Sequence, residues 1–170
     1  MALSQRSLRM AANEFRAQRR SSVEDARRFG ERVAFLCHSH KDRILALGLA
    51  RQFQARGITL YIDWLDQEMP DRPNQRTASN LKNKIDACDF FLFLATENSK
   101  SSRWCPWEIG YCDGKRGSPL VTVIPTTDGL SSFGNEYLDL YRSISVNALG
   151  DFEVIEPASK ASRSAKSFFG

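Results

Sequence analysis

Short apolar runs alternate along this chain with longer segments in which apolar residues recur at helical spacing. Leu45, Leu49 and Phe53 fall at i, i+4 and i+8, which predicts one face of a helix that begins near Ser39 or Asp42. A second helix is predicted over 77–87, with its apolar positions facing inward. The apolar runs predict strands, at 32–37, 58–62, 88–95 and 120–124, with an edge-like fifth at 141–146.

This alternation of strands and helices predicts the fold class. It is typical of an α/β protein with a flavodoxin-like parallel sheet of about five strands, in the order 2-1-3-4-5, and helices on both faces. The run at 88–95 is apolar at nearly every position, as in a strand covered on both sides. In this order a crevice opens between the carboxyl ends of the first and third strands. Residues 38–42 and 96–102 would border that crevice.

The chain divides into a central domain and two basic ends. We expect a basic helical N-terminal arm at 1–30, a domain at 31–150 and a basic flexible C-terminal tail at 151–170. A thin apolar stripe predicts one or two helices in the arm, although a solvated basic arm is an equal alternative. In the tail, Phe168 and Phe169 are the residues suited to docking.

The charge is unevenly distributed. The arm has a net charge of +4, and the part of the tail after Pro157 has +3. Because the whole chain carries +4, residues 31–157 carry −3, so the body has no footprint for nucleic acid.

The cysteines predict a reducing environment. The four of them, at 37, 88, 105 and 112, lack the spacing of a disulfide framework, and two lie in or beside strand-like runs. We therefore expect a cytoplasmic protein. No apolar run is long enough to span a bilayer, and the N-terminus lacks the apolar segment of a secretory signal.

The segment 101–115 holds the best candidate for chemistry. Ser101 or Ser102 can cap a helix, Pro106 suits its first turn, and Glu108 follows soon after Trp104 and Trp107. An acid at a helix start, beside apolar rings and just past a strand, fits a ligand-facing carboxylate. The alternative is an acid that only complements the helix dipole.

Other chemistries are weaker. His38 and His40 lie beside Cys37, but no second cluster completes a metal site, so we expect none. Cys105 as a nucleophile would need one of these histidines as its base. A receiver-type phosphoacceptor needs an acid where this chain has Ala95 and Thr96.

Three segments in order resemble a TIR (Toll/interleukin-1 receptor) domain. They are 35–42 at the end of the first strand, 57–63 leading into a long loop, and 101–108 with its Trp-Cys-Pro-Trp-Glu sequence. The resemblance covers about residues 31–147 and is most specific in the third segment. That segment is similar to the prokaryotic TIR domains that cleave NAD⁺, among them anti-phage proteins of the Thoeris type.

The resemblance implies that Glu108 is the catalytic carboxylate and that 63–73 is the BB loop, which gates the nucleotide site. It also implies NAD⁺ as substrate, no permanently bound cofactor, TIR–TIR self-association and an effector that senses the product. From the acidic body and the lack of a long apolar run, we expect no nucleic-acid or membrane partner. The expected substrate-binding residues are His38, Ser39, His40, Lys41, Asp63, Trp64, Ser99 and Trp104.

One carboxylate is enough for this chemistry. Nicotinamide leaves NAD⁺ as a neutral molecule, so the general acid of an ordinary glycosidase is not required. The remaining task is to stabilise an oxocarbenium-like ribose. Water as acceptor gives ADP-ribose, and internal attack by adenine gives a cyclic ADP-ribose isomer. The alternative function is a non-catalytic TIR–TIR adaptor in signalling.

Overall fold

The computed structural model describes residues 1–15, 32–65, 75–137 and 139–169. The strands are β1 Leu3–Ser4, β2 Val33–Cys37, β3 Thr59–Tyr61, β4 Phe90–Ala95, β5 Val121–Thr127, β6 Ser132–Phe133, β7 Arg142–Val146, β8 Phe152–Ile155 and β9 Ser162–Ser164. The helices are α1 Gln5–Ala12, α2 Arg43–Gln54, α3 Gln75–Ala87, α4 Glu97–Lys100, α5 Trp104–Arg116 and α6 Ala165–Phe169. Single 3-10 turns lie at His40–Asp42, Asp63–Leu65, Ser118–Leu120 and Asn135–Tyr137.

The sheet has the order β3-β2-β4-β5-β7-β8-β9. The pairs β2–β3, β2–β4, β4–β5 and β5–β7 are parallel, so the predicted order 2-1-3-4-5 and the α/β class are confirmed. The expectation that the fifth strand is an edge was wrong. Two antiparallel strands extend the sheet beyond β7, with Val146 opposite Phe152 at the start of β8.

Each central strand divides its side chains between two cores. In β2, Ala34 and Leu36 face the core beneath α2, whereas Phe35 and Cys37 face the core beneath α3 and α5. β4 alternates in the same way and is buried throughout. This alternation places Cys37 on the face of the sheet that α5 covers.

The N-terminal residues are part of the folded domain. β1 pairs in parallel with the end of β5, and α1 lies against α2 with Leu8 fully buried. A Cβ atom on Gly48 would lie 1.8 Å from the Leu8 carbonyl oxygen, so this helix contact requires glycine. The predicted helical arm is observed at 5–12, and residues 16–30 of it lie outside the described residues.

The C-terminal residues correct the expectation of a flexible tail. β9 pairs with β8, and α6 buries Phe169 against Phe90 and Phe53, with ring centroids 4.8 and 5.8 Å apart. Burial of this aromatic side chain outweighs the polar composition around it, since a phenylalanine contributes roughly 2 kcal/mol or more when buried. No helix in the described part of the chain is long and apolar enough to cross a membrane.

Candidate active site

The candidate site lies where β2 and β4 end and α5 begins. Cys37, the last residue of β2, is paired with Phe93 of β4. The Ser102 hydroxyl accepts hydrogen bonds from the amides of Trp104 and Cys105, at 3.2 and 3.3 Å. Ser102 therefore satisfies two of the free N–H groups at the start of α5, as its position in the sequence predicts.

Glu108 lies one turn into α5 and is buried, with only 6% of its surface exposed. The thiol of Cys37 lies near its carboxyl group and is itself hydrogen-bonded to the Cys105 carbonyl oxygen at 3.8 Å. Burial raises the pKa of Glu108 well above its ordinary value, and the nearby Cys105 and Asp63 raise this pKa further. The Cys37 contact opposes them and lowers the pKa of Glu108.

No ion pair among the described residues includes Glu108. A buried carboxyl group without a positive partner lowers stability, because the ionised form loses its hydration. Buried acids of this kind are concentrated at functional sites. The alternative, in which Glu108 only complements the helix dipole at the surface, does not fit its burial.

His38 joins the end of β2 to the turn after β3. Its Nδ1 lies 3.0 Å from the Leu36 carbonyl oxygen, and its Nε2 accepts a 2.7 Å hydrogen bond from the Trp64 indole N–H. Nδ1 therefore carries the proton of a neutral ring. Burial lowers the pKa of His38, and Asp63, 3.8 Å from Nε2, raises it in part.

Trp64 and Asp63 hold the turn that faces His38. The Asp63 carboxylate accepts a 2.9 Å hydrogen bond from the Trp64 amide, and the Arg43 guanidinium lies 5.1 Å from the Trp64 ring centroid. These contacts fix the indole ring of Trp64 beside the end of β2. The rest of the predicted BB loop, 66–73, lies outside the described residues.

The residues between β2 and α2 differ in exposure. Ser39 is buried, and its hydroxyl accepts a 3.4 Å hydrogen bond from the amide of Lys41. His40 and Lys41 are exposed on the 3-10 turn that follows. The turn thus directs two polar side chains outward at the rim and keeps Ser39 inside it.

Ser99 is buried on α4, and its observed hydrogen bonds lie within the turn that begins this helix. Its hydroxyl accepts from the Thr96 amide at 2.8 Å and donates to the Thr96 carbonyl oxygen at 3.0 Å. The first of these bonds and the 3.0 Å hydrogen bond from the Ser99 amide to the Thr96 hydroxyl form a capping box, which is a structural role. Ser99 also lines a cleft of about 50 Å³ beside Phe93 and Tyr137, which is too small for a whole nucleotide.

The tryptophans of α5 are half-buried. Trp104 meets Trp107 edge to face, with ring centroids 5.4 Å apart, and Trp107 stacks on Tyr111. Both tryptophans pack against the core that contains Cys37. Trp104 therefore lies on the same face of the sheet as Glu108, one helical turn before it.

Asp42 was missed as a structural residue of the rim. It was expected to cap α2, but its carboxylate accepts hydrogen bonds from Thr96 at 2.5 Å and Asn98 at 2.7 Å instead. These bonds tie the residues after β2 to those after β4. Asp42 stands five residues past the end of β2, within the segment 38–42 that was expected to border the crevice, but its partners Thr96 and Asn98 could not be read from the sequence.

Cys37 is fully buried, as expected of a free cysteine in an apolar strand, and its thiol lies 3.8 Å from the Cys105 carbonyl oxygen. The nucleophile alternative for Cys105 loses support here, because both nitrogens of His38 have other partners and His40 is exposed. The Cys105 thiol contacts Cys37 and Ser102, which are not general bases.

These features define a flavodoxin-like α/β domain with a buried acid at the crevice where the strand order reverses. The chain belongs to the TIR domain family, which matches residues 34–149.

Two bacterial relatives are similar to this chain. A Bacillus cereus (strain MSX-D12) protein named "Probable 3' cyclic ADP-D-ribose synthase ThsB'" is 36% identical over 110 residues, which is 63% of this chain and 57% of that protein. A Cytobacillus dafuensis protein named "Putative cyclic ADP-D-ribose synthase TIR2" is 30% identical over 80 residues, or 45% of this chain and 21% of that protein. The matches thus span about half of the first relative and about a fifth of the second.

Proposed function

We propose that this TIR domain cleaves the nicotinamide–ribose bond of NAD⁺, with Glu108 as the catalytic carboxylate. The products are nicotinamide and either ADP-ribose or a cyclic ADP-ribose isomer. The observation that carries this proposal is the burial of Glu108 at the crevice, with a thiol and no positive partner among the described residues. Both relatives are named as cyclic ADP-D-ribose synthases, which supports the same reaction.

The burial of Glu108 suits a cationic substrate. Without substrate, burial favours the neutral acid and raises the pKa of Glu108. A positively charged nicotinamide riboside next to this group favours the ionised form. The interaction strengthens as positive charge moves onto the ribose in the transition state, which is where stabilisation accelerates the reaction.

The other predicted site residues remain proposed contacts. Trp64, held by His38 and Arg43, would offer a fixed ring face to the substrate. Asp63 would accept hydrogen bonds from ribose hydroxyls, while His40 and Lys41 would meet the phosphates at the rim. Ser39, which is buried, would hold the turn that carries them. Trp104 would pack beside the reacting ring. Ser99 would act through the Thr96 turn, since its observed bonds are internal.

The biological setting is also part of the proposal. We propose that NAD⁺ is the substrate and not a resident cofactor, and that the protein acts in the cytoplasm. The cyclic product would be an anti-phage signal for a separate effector, and TIR–TIR self-association would assemble the active form.

The proposal is tested by incubating the purified chain with NAD⁺ and measuring nicotinamide by chromatography. We expect release by the wild type and by Glu156→Gln, a matched control that removes a carboxylate bonded to Arg142 and remote from the ends of β2 and β4. We expect its loss in a folded Glu108→Gln variant. Mass spectrometry identifies the second product, because the cyclic isomer is one water lighter than ADP-ribose. Equal release by Glu108→Gln would contradict the proposal, and the adaptor function would then be favoured.

A further inference from the structure

His38 connects the end of β2 to the turn that carries Trp64. It is buried, and its Nδ1 lies 3.0 Å from the Leu36 carbonyl oxygen. Its Nε2 lies 2.7 Å from the indole nitrogen of Trp64. Because an indole N–H can only donate, this short contact requires an unprotonated Nε2. Both ring nitrogens are thus engaged within the protein, which favours a role through Trp64 over a direct contact with substrate.

A proton on Nε2 of His38 would break the bond to Trp64. The imidazolium has two donors and no acceptor, so its Nε2–H would face the indole N–H as a second donor. The carboxylate of Asp63 lies 3.8 Å from the same nitrogen and can accept from it. A movement of about 1 Å turns this contact into a hydrogen bond. Protonation therefore exchanges Trp64 for Asp63 as the partner of Nε2.

We propose that His38 is a positioning residue of the NAD⁺ site, whose neutral ring holds the Trp64 indole and whose protonation gives Nε2 to Asp63 and releases that indole. This inference rests on the proposed function, in which Trp64 and Asp63 contact the substrate. Protonation would weaken both contacts at once, because Trp64 loses its anchor while the imidazolium occupies the Asp63 carboxylate.

The groups around His38 set the pH of this exchange. Burial is the largest cause and lowers the pKa of His38 from its ordinary value of 6.5. Asp63 raises this pKa, as does Asp42 from the turn after β2, whereas His40 on the same turn lowers it. Since burial dominates, the ring is neutral at neutral pH and the exchange occurs below pH 6.5.

Two helices bring further charges to the turn at Asp63. Arg43, at the start of α2, lies over the Trp64 ring and disfavours a second positive charge nearby. On α5, Glu108 and Cys105 lie within the electrostatic reach of Asp63. An imidazolium bonded to Asp63 would offset that carboxylate, so the protonation of His38 affects Glu108 as well. Variants are therefore compared at equal pH, with Glu108 present in each.

The test follows the indole N–H signal of Trp64 in ¹⁵N–¹H spectra of the full chain. The chain has three tryptophans, and Trp64→Phe identifies this signal by its loss. We expect the wild-type signal to lie downfield at neutral pH and to move upfield as pH falls below 6.5. His38→Gln keeps an acceptor that cannot be protonated, so its signal should not move. A wild-type signal independent of pH, or an equal movement in His38→Gln, would overturn the proposal.

Steady-state nicotinamide release supplies the second readout. The wild-type KM for NAD⁺ should rise about five- to tenfold as His38 is protonated, the equivalent of one lost hydrogen bond. This rise should be absent in His38→Gln, and an equal rise there would overturn the role of His38. His38→Ala and Trp64→Phe should each raise KM at neutral pH, and the double variant should raise it no further. Additive increases would mean that the two residues act separately, against the proposal.

The outcomes separate the two proposals. The indole signal reports on His38 and Trp64 without turnover, so its pH dependence can be observed even if the chain cleaves no NAD⁺. Equal nicotinamide release by Glu108→Gln and the wild type would overturn the proposed function and leave that observation intact. A fixed indole signal would overturn the role of His38, whatever the rate of release.

Discussion

Two glutamates on opposite sides of the molecule have contrasting surroundings. Glu108 is buried beside a thiol, whereas Glu156, just after β8, accepts hydrogen bonds from Arg142 at 2.7 and 2.9 Å and from Arg163 at 3.0 Å. Burial raises the pKa of Glu108, while the hydrogen bonds from Arg142, the largest cause, lower the pKa of Glu156. The same side chain is thus disfavoured as an ion in one place and favoured in the other.

This difference distinguishes the candidate active site from a structural clasp, by which we mean Glu156 and the two arginines bonded to it, Arg142 and Arg163. Glu156 holds β9 and α6 to the sheet, and Arg142 also donates to the Pro119 carbonyl oxygen. Phe168 lies between the two guanidinium groups, with ring centroid distances of 5.3 and 4.4 Å. Each charge there has a partner. Glu108 has no such partner among the described residues. Its burial therefore lowers the stability of the fold, and no ion pair offsets this loss.

The largest expected difference is in activity. Glu108→Gln should lower the rate of nicotinamide release by about 10²- to 10³-fold or more, because it removes the charge that stabilises the ribosyl cation. Glu156→Gln removes an equal charge remote from the crevice and should leave the rate unchanged. Steady-state rates of both variants, at a temperature where both are folded, check this pair. Equal losses of rate in the two variants would mean that the Glu108 charge affects the rate only through its effect on folding.

The pH dependence of stability should differ in sign between the two positions. For Glu108, whose pKa is raised, wild-type stability falls as pH rises above the ordinary value of 4.5 towards the folded pKa. The stability of Glu108→Gln relative to the wild type should therefore increase as pH rises. For Glu156, whose pKa is lowered, stability is present above the ordinary value of 4.5 and is lost as pH falls through the folded pKa.

Relative to the wild type, Glu156→Gln should therefore lose the most stability at neutral pH and none in acid. Thermal unfolding between acid and neutral pH measures both differences. If the stability of both variants changed with pH in the same way, the predicted difference between Glu108 and Glu156 would be contradicted.

The clasp should contribute modestly. Glu156→Gln is expected to lower the free energy of unfolding by about 1 kcal/mol, since the carboxylate is partly solvated and its ion pairs are screened. Hydrogen exchange should increase in β9 and α6 in particular. Asp139→Asn is the matched control: its pair with Lys160 is exposed and should contribute nothing measurable. Unchanged exchange at 162–169 in Glu156→Gln would show that the aromatic contacts hold this segment alone.

The smallest effect concerns a buried polar group without charge. The Thr122 hydroxyl, near the start of β5, is fully buried and has no hydrogen-bond partner among the described residues. Thr122→Val should raise the free energy of unfolding by about 0.5 kcal/mol, without a change in its pH dependence. Urea denaturation measures this change. A destabilised variant would indicate a partner for the hydroxyl, and it would weaken the argument that unpaired polar groups cost stability here.

The sequence determined the order of elements and the position of the crevice. The apolar runs that became β2 and β4, the helical spacing of Leu45, Leu49 and Phe53, and the Ser102 cap are local patterns with one dominant solution. Glu108 was singled out as a candidate from its place near the start of α5, and the resemblance to TIR domains implied its catalytic role. These features depend on neighbours in sequence, so periodicity and capping chemistry reveal them.

Tertiary structure alone decided which distant side chains meet. Residues far apart in the chain are joined by the bond from the Cys37 thiol to the Cys105 carbonyl oxygen, the bonds from Thr96 and Asn98 to Asp42, and the bonds from Arg142 to Glu156. The docking of Phe169 likewise depends on a sheet that no local pattern of a basic, serine-rich tail predicts. Periodicity gives the face on which a side chain lies, but the partner across that face is set by how strands and helices pack.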